Sequence, residues 1–333
     1  MRRTQRKSDE TRLGSIFTAL VGATVFLAVA ILFAANRSIV SENTHAGESN
    51  STVNEKIDSD YTIVRVSEES VVRKYPHDPS AFTQGLVLVS SLDDTTKGTA
   101  STTTTTASTS IGRLFESTGL YGESTLREID VGTGSVVRKI EMDASDFGEG
   151  LCEMVAPNER SGVLIQLTWK KRTGYVYDAR TLETIRTFRY ETTPPRHEGW
   201  GITGNGTHLF VSDGTATIFV WDANSFEEVD RFVVYESDPQ RPKLTRPVSR
   251  INELEWVRSE ILANVWYDDR IVRIDPIRRP GQILGEYDCA ELARPHRKNN
   301  QHAVLNGIAY DESDDTLLIT GKLWNAMYRI RRK

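Results

Sequence analysis

Two hydrophobic patterns divide the chain. From Leu13 to Ala35 no charged residue occurs, and Phe17, Leu20, Val21, Val25, Phe26, Leu27, Ile31, Leu32 and Phe33 dominate. At about 1.5 Å per residue such a run crosses a hydrocarbon core of about 30 Å, so it predicts one transmembrane helix over residues 13–35. From Tyr61 onward the pattern changes to short stretches in which apolar and polar positions alternate, as in Glu183-Thr184-Ile185-Arg186-Thr187-Phe188. A period of two predicts strands with one buried face. Between the two lies a polar stretch, residues 36–59, that reads as a stalk.

The strands recur. An apolar-x-apolar-Asp pattern, followed by a turn and another strand, ends at Asp130, Asp178, Asp222 and Asp275. A second repeat interleaves with it: Gln84-Gly85-Leu86, Glu149-Gly150-Leu151, Trp200-Gly201-Ile202, Asn252-Glu253-Leu254 and Asn306-Gly307-Ile308. Five copies at a period near 50 residues, with about four strands each, are the sequence signature of a β-propeller. The chain stops after Met327-Tyr328-Arg329-Ile330, one strand short of a blade. Glu69-Ser70-Val71-Val72-Arg73-Lys74-Tyr75 resembles the last strand of another copy, Glu227-Glu228-Val229-Asp230-Arg231-Phe232-Val233. The expectation is an all-β, five-bladed β-propeller over residues 60–333, its last blade closed by the amino-terminal strand. The Ser/Thr-rich segment 95–110, with an unbroken run from Thr102 to Thr106, is expected to be a surface loop inserted in the first blade.

Charge and composition narrow the class. The 333 residues carry 41 Lys and Arg against 46 Asp and Glu, which gives no electrostatic footprint for nucleic acid. Two cysteines, Cys152 and Cys289, cannot make a disulfide framework or a four-cysteine zinc site, and a bridge between them is not expected. Arg2, Arg3, Arg6, Lys7 and Arg12 precede the apolar run, whereas only Arg37 follows closely. The positive-inside bias leaves residues 1–12 cytosolic and the carboxyl-terminal body luminal. A cleaved signal peptide is the rival, but its apolar core usually runs only about 7–15 residues. The expected protein is a single-pass type II membrane protein of the secretory pathway (endoplasmic reticulum or Golgi) with a signal anchor. Sequons at Asn36, Asn50 and Asn205 fit a luminal glycoprotein.

In a propeller the first strand of each blade lines the central channel, so Gln84, Glu149, Trp200, Asn252 and Asn306 are expected in a ring at one mouth. The second strand ends at that mouth, bringing Trp169, Asp213, Trp266 and Lys322. Any one of these has an ordinary structural explanation; their coincidence at equivalent repeat positions suggests a site with apolar walls and convergent polar groups. Asp213 is the weakest, because Ser212-Asp213-Gly214 is also a plain hairpin turn. His77, His197 and His302 read as loop or surface histidines.

The motifs carry a resemblance. Tyr75-Pro76-His77-Asp78-Pro79-Ser80-Ala81-Phe82-Thr83-Gln84-Gly85-Leu86, Ser117-Thr118-Gly119-Leu120-Tyr121-Gly122 and Phe147-Gly148-Glu149-Gly150-Leu151 resemble glutaminyl-peptide cyclotransferases of the plant and bacterial type. Gln166-Leu167-Thr168-Trp169-Lys170, Glu198-Gly199-Trp200-Gly201, Asn252-Glu253-Leu254-Glu255, Ala263-Asn264-Val265-Trp266, Leu305-Asn306-Gly307-Ile308-Ala309-Tyr310 and Thr320-Gly321-Lys322-Leu323-Trp324 continue the likeness in order, over roughly residues 61–330. The resemblance implies a five-bladed propeller, an acyltransferase that turns amino-terminal glutamine of peptides and proteins into pyroglutamate with release of ammonia. It implies Glu149 as proton shuttle, Asn252 and Lys322 as its polar partners, and Phe82, Gln84, Phe147, Trp169, Trp200 and Trp266 as the substrate cage. It implies no cofactor or metal, and a monomer is expected. The sequence departs from the family pattern at the Thr-rich insertion, at Pro157 to Arg160, and at Cys152, where a hydroxyl residue would be expected. A metal-dependent propeller hydrolase using Glu149, Asn252 and Asn306, and a non-catalytic binding propeller, are the alternatives. Lys322 and the rim indoles disfavour the first, and the complete motif series disfavours the second.

Overall fold

The computed structural model describes residues 61–89, 112–154, 162–238, 241–298 and 300–333. The expected transmembrane helix at 13–35, the stalk at 36–59 and the Ser/Thr-rich insertion at 95–110 lie outside them. Among the described residues no helix is long and apolar enough to cross a membrane.

Strands dominate and fall into five sheets. The first holds Thr83–Val89, Arg113–Thr118, Thr125–Ile129 and Val136–Glu141. The second holds Gly148–Met154, Val163–Thr168, Thr173–Asp178 and Thr184–Arg189. The third holds Ile202–Gly204, His208–Ser212, Thr217–Asp222 and Glu228–Val233. The fifth holds Leu305–Asp311, Thr316–Gly321 and Ala326–Arg331, and its outer strand is Val71–Pro76 from the other end of the chain. There Tyr75 pairs with Met327 and Pro76 with Ala326, antiparallel. The fourth sheet has seven strands. Ile251–Val257, Glu260–Val265, Arg270–Asp275 and Gln282–Asp288 are extended by the hairpin Tyr235–Asp238 and Arg241–Pro247. Thr62–Arg65 also joins it, parallel to Gln282–Asp288. The architecture is all-β and propeller-like.

Burial follows position within each sheet. Every residue of the inner strand Thr83–Val89 is buried, whereas the outer strand Thr184–Arg189 is exposed except at Phe188. Apolar clusters sit between successive sheets, and one joins Tyr75, Ala309, Leu318 and Met327 of the fifth to Leu86, Leu114 and Ile129 of the first. The recurring aspartate has a local cause. Asp178 Oδ1 accepts the backbone N–H of Arg180 and Thr181, both at 2.8 Å, and Asp222 and Asp275 do the same for the residues two and three ahead. Each carboxylate therefore makes an Asx turn that reverses the chain into the outer strand.

Four features depart from expectation: a hairpin, a strand, a helix and a histidine. The Tyr235–Pro247 hairpin and the Thr62–Arg65 strand are additions to the four-strand repeat, and a short helix, Ala290–Arg297, follows the fourth sheet. His77 is buried rather than superficial. Its Nδ1 lies 2.8 Å from Trp324 O and its Nε2 3.0 Å from Glu116 Oε1, so it clasps the fifth sheet to the first. Cys152 and Cys289 are both free and buried.

Candidate active site

The inner strands are irregular at the residues of interest. The pairing of inner and second strands shifts register between Thr83 and Gly85, Gly148 and Leu151, Ile251 and Leu254, and Leu305 and Ile308. Gln84, Glu149, Asn252 and Asn306 lie within these irregularities. A bulge takes a residue out of the two-fold alternation and re-aims its side chain. The glycine that follows three of these residues, and Trp200, has a steric reason. A Cβ on Gly85 would stand 2.4 Å from Leu151 N, and one on Gly201 2.0 Å from Asn252 O. Adjacent inner strands thus touch backbone to backbone. At the fourth copy Glu253 replaces glycine, and its Oε1 accepts from the backbone N–H of Leu86, on the inner strand of the first sheet, at 3.4 Å.

Glu149 is 5% exposed and held by its own peptide groups: Ser117 Oγ donates to its carbonyl at 2.5 Å, and Gly150 N–H donates to Trp200 O at 2.6 Å. Gln84 Nε2 donates to Glu149 Oε1 at 3.2 Å, and the same Gln84 amide accepts from Lys322 Nζ through Oε1 at 2.5 Å. One resident carboxamide therefore spans the carboxyl and the lysine. Lys322, 4% exposed, also stands over the Phe82 ring at 4.6 Å. Burial pushes the Glu149 carboxyl well above the usual carboxylate range; Lys322 opposes this and Glu198 adds to it. Burial likewise pulls the Lys322 ammonium down to about 8, against the attraction of Glu149.

The aromatic residues form two groups. Phe82 meets Phe147 edge-on at 6.2 Å, and Phe147 packs against Trp169 at 5.4 Å and Tyr121 at 5.3 Å. Trp200 and Trp266 meet at 5.4 Å with planes at 89°, and Tyr267 lies 4.6 Å beyond Trp266. Backbone bonds lace the loops that carry them: Trp169 N–H to Phe147 O, Gly199 N–H to Trp169 O, Trp266 N–H to Arg250 O. Asn252 is 2% exposed, its carbonyl accepts from Ser212 Oγ at 2.6 Å, and its side-chain Oδ1 has no hydrogen-bond partner. A buried acceptor left open is costly, so this one is available to a ligand.

Two expected rim residues resolve otherwise. Both oxygens of Asp213 are engaged locally, Oδ1 with Thr215 N–H at 3.0 Å and Oδ2 with Thr193 N–H at 3.1 Å, so it is a turn residue. Asn306 donates to Thr83 O at 2.9 Å and ties the fifth inner strand to the first, while its buried Oδ1 stays open like that of Asn252. Two further residues border the site: Tyr121 packs on Phe147 at 5.3 Å, and Glu198 Oε2 accepts from Trp200 Nε1 at 3.0 Å. Their only signal in the sequence was proximity to a glycine-flanked aromatic position.

A propeller-like scaffold thus buries a carboxyl and a lysine around one shared amide, beside two groups of aromatic side chains, an arrangement of the kind found in enzyme pockets. The sequence profile described as glutamine cyclotransferase matches residues 44–332. A curated glutaminyl-peptide cyclotransferase of Arabidopsis thaliana is 38% identical over 271 residues, covering 81% of this chain and 72% of that protein. The crystal structure of Myxococcus xanthus glutaminyl cyclase superposes with a TM-score of 0.62 at 30% identity, covering 78% of this chain and 94% of that one. The chain belongs to the glutamine cyclotransferase family.

Proposed function

We propose that this protein is a glutaminyl-peptide cyclotransferase, closing amino-terminal glutamine of peptides and proteins to pyroglutamate. The observation that carries the reading is the Gln84 amide held between Glu149 and Lys322, because a primary carboxamide is the group the substrate must present. A substrate amide docked on the same pair has its nitrogen toward the carboxyl and its carbonyl oxygen toward the ammonium.

The reaction forms a bond between the α-nitrogen and the side-chain carbonyl carbon and breaks the bond from that carbon to the amide nitrogen. A free α-amine titrates at about 7.7–8.0, and a dry aromatic pocket favours its neutral form. Glu149 takes a proton from the attacking nitrogen and returns it to the departing one, which leaves as ammonia. A carboxyl with raised proton affinity suits both halves of that transfer. Lys322 stabilises the oxyanion, and Asn252, with its open Oδ1, accepts from substrate N–H. Phe82, Phe147, Trp169, Trp200 and Trp266 enclose the glutamine stem and exclude water.

The fourth sheet is read as a blade equivalent to the other four, making five in all, with Ile251–Val257 as its inner strand and three strands added outside the repeat. The membrane anchor at 13–35, the luminal body, the monomer and glycosylation at Asn205 belong to the same reading. Asn205 supports it by lying exposed in a hairpin turn. The direct test is incubation of the protein with a Gln-initiated peptide while ammonia is followed, with the Asn-initiated peptide as control. Release from the first alone is expected, since the shorter side chain would have to close a four-membered ring. Equal rates, or none, would refute the assignment.

A further inference from the structure

Glu198 is a second acidic residue of the pocket, and nothing in the proton-transfer scheme above uses it. It is 6% exposed, and its backbone is fixed on both sides. Thr192 Oγ1 donates to Glu198 O at 2.7 Å, and Gly199 N–H donates to Trp169 O at 2.9 Å. Its Oε2 accepts from Trp200 Nε1 at 3.0 Å. That indole is packed on its other sides. Trp266 meets it edge-on at 5.4 Å, and a Cβ on Gly214 would stand 2.5 Å from its Cζ2. The bond from the indole N–H is thus the polar restraint on a ring otherwise set by packing.

We propose that Glu198 is a positioning residue of the cyclisation: its side chain fixes the indole of Trp200, the residue whose carbonyl holds the Glu149–Gly150 peptide at 2.6 Å. This rests on the reading of Glu149 as the proton shuttle. The groups around Glu149 are few. Gln84 bonds it, Lys322 is the cation, Glu198 is the anion, and the phenols of Tyr121 and Tyr190 feel both carboxyls. Asp146, at the turn before the Glu149 strand, is committed to Lys171 and Tyr175. Glu198 therefore opposes Lys322 in setting how readily Glu149 holds its proton. Without it the carboxyl would be a weaker base, less able to take the proton of the attacking amine.

Two variants separate the two effects. Glu198→Gln keeps an oxygen acceptor for the indole N–H and removes the charge. The acid limb of its kcat–pH profile is expected to move to lower pH, with KM close to wild type. Glu198→Ala removes both, so the same limb shift is accompanied by a loss of about 10- to 100-fold in kcat/KM from the freed ring. A Glu198→Gln profile that coincides with wild type overturns the electrostatic role, and unchanged kcat/KM in Glu198→Ala overturns the positioning role. Should Glu198→Ala fail to fold, the near-isosteric Gln variant decides through its pH profile. The underlying assignment is judged separately by Glu149→Gln: if that variant cyclises at the wild-type rate, the shuttle reading fails whatever Glu198 does.

Discussion

Replacing Glu149 by Gln isolates the proton from everything else the side chain does. The amide has the same shape, and its oxygen accepts the bond that Gln84 Nε2 now gives to Glu149 Oε1 at 3.2 Å. General acid–base groups typically contribute about 10²–10⁴-fold. At about 1.36 kcal/mol per tenfold, that is about 3–5 kcal/mol of transition-state stabilisation. The effect on folding runs the other way. Burial and Glu198 already disfavour the ionised carboxyl, so a neutral amide removes an unfavourable desolvation and the melting temperature should stay level or rise. The aromatic contacts of the proposed cage are untouched, so KM should change little while kcat falls by the whole amount. The assay is ammonia release under steady-state and single-turnover conditions, with a thermal melt of the same sample. Turnover within a few-fold of wild type, in a protein that melts normally, would refute the assignment of the shuttle.

Lys322→Met should lower kcat by about 10²–10³-fold, the cost of an oxyanion donor. Because Lys322 is held down at about 8, the wild-type rate should fall as pH rises through that value, and the variant should lack this alkaline limb. A second pH effect concerns stability. Burial would push the Glu116 carboxyl up, but His77 and Arg127 hold it down at about 2, below its ordinary 4.5. Its stabilisation is complete above about pH 4.5 and lost as pH falls through about 2, amounting to about 3 kcal/mol on the order-of-magnitude scale of 1.36 kcal/mol per unit. Urea midpoints measured between pH 5 and 2 should therefore fall less in Glu116→Gln than in wild type, although the variant starts less stable. The Cys152 and Cys289 thiols, both buried and pushed up, should react with a thiol reagent only after unfolding. Reaction of either in the native protein would contradict their placement.

The repeat was legible because its punctuation has local causes. An Asx turn needs Asp178 or Asp222 at one place, and backbone contact needs Gly85 or Gly201 at another, so each leaves a periodic mark in the sequence. The closing strand was legible because Glu69–Tyr75 copies an outer strand of another sheet. What stayed hidden depends on partners distant in sequence. His77 looks like a loop histidine until Glu116 and Trp324 are brought to it. The Ser212-Asp213-Gly214 turn showed one side of Asp213, the bond from Thr215, but not the bond from Thr193 that takes its other oxygen. The Thr62–Arg65 strand escaped because it pairs outside the repeat, parallel to Gln282–Asp288. Glu198 escaped because a carboxylate two residues before a tryptophan says nothing about where the indole N–H points.

The pairing of Val71–Pro76 with Ala326–Arg331 imposes an order on biogenesis. The first of these strands emerges early from the ribosome and then waits, because its partner lies at the other end of the message. At about 5–20 residues per second the wait is on the order of ten seconds or more. During it the fifth sheet does not exist, the apolar side chains of the first sheet that Met327 and Leu318 will cover are bare, and the waiting strand is open to foreign partners. Arg73 and Lys74 on that strand are the kind of charge that discourages mispairing at an unguarded edge. Closure of the fifth sheet therefore waits until Ala326–Arg331 has been made. A nascent chain stalled before Ala326 should engage holding chaperones however well its first three sheets have formed.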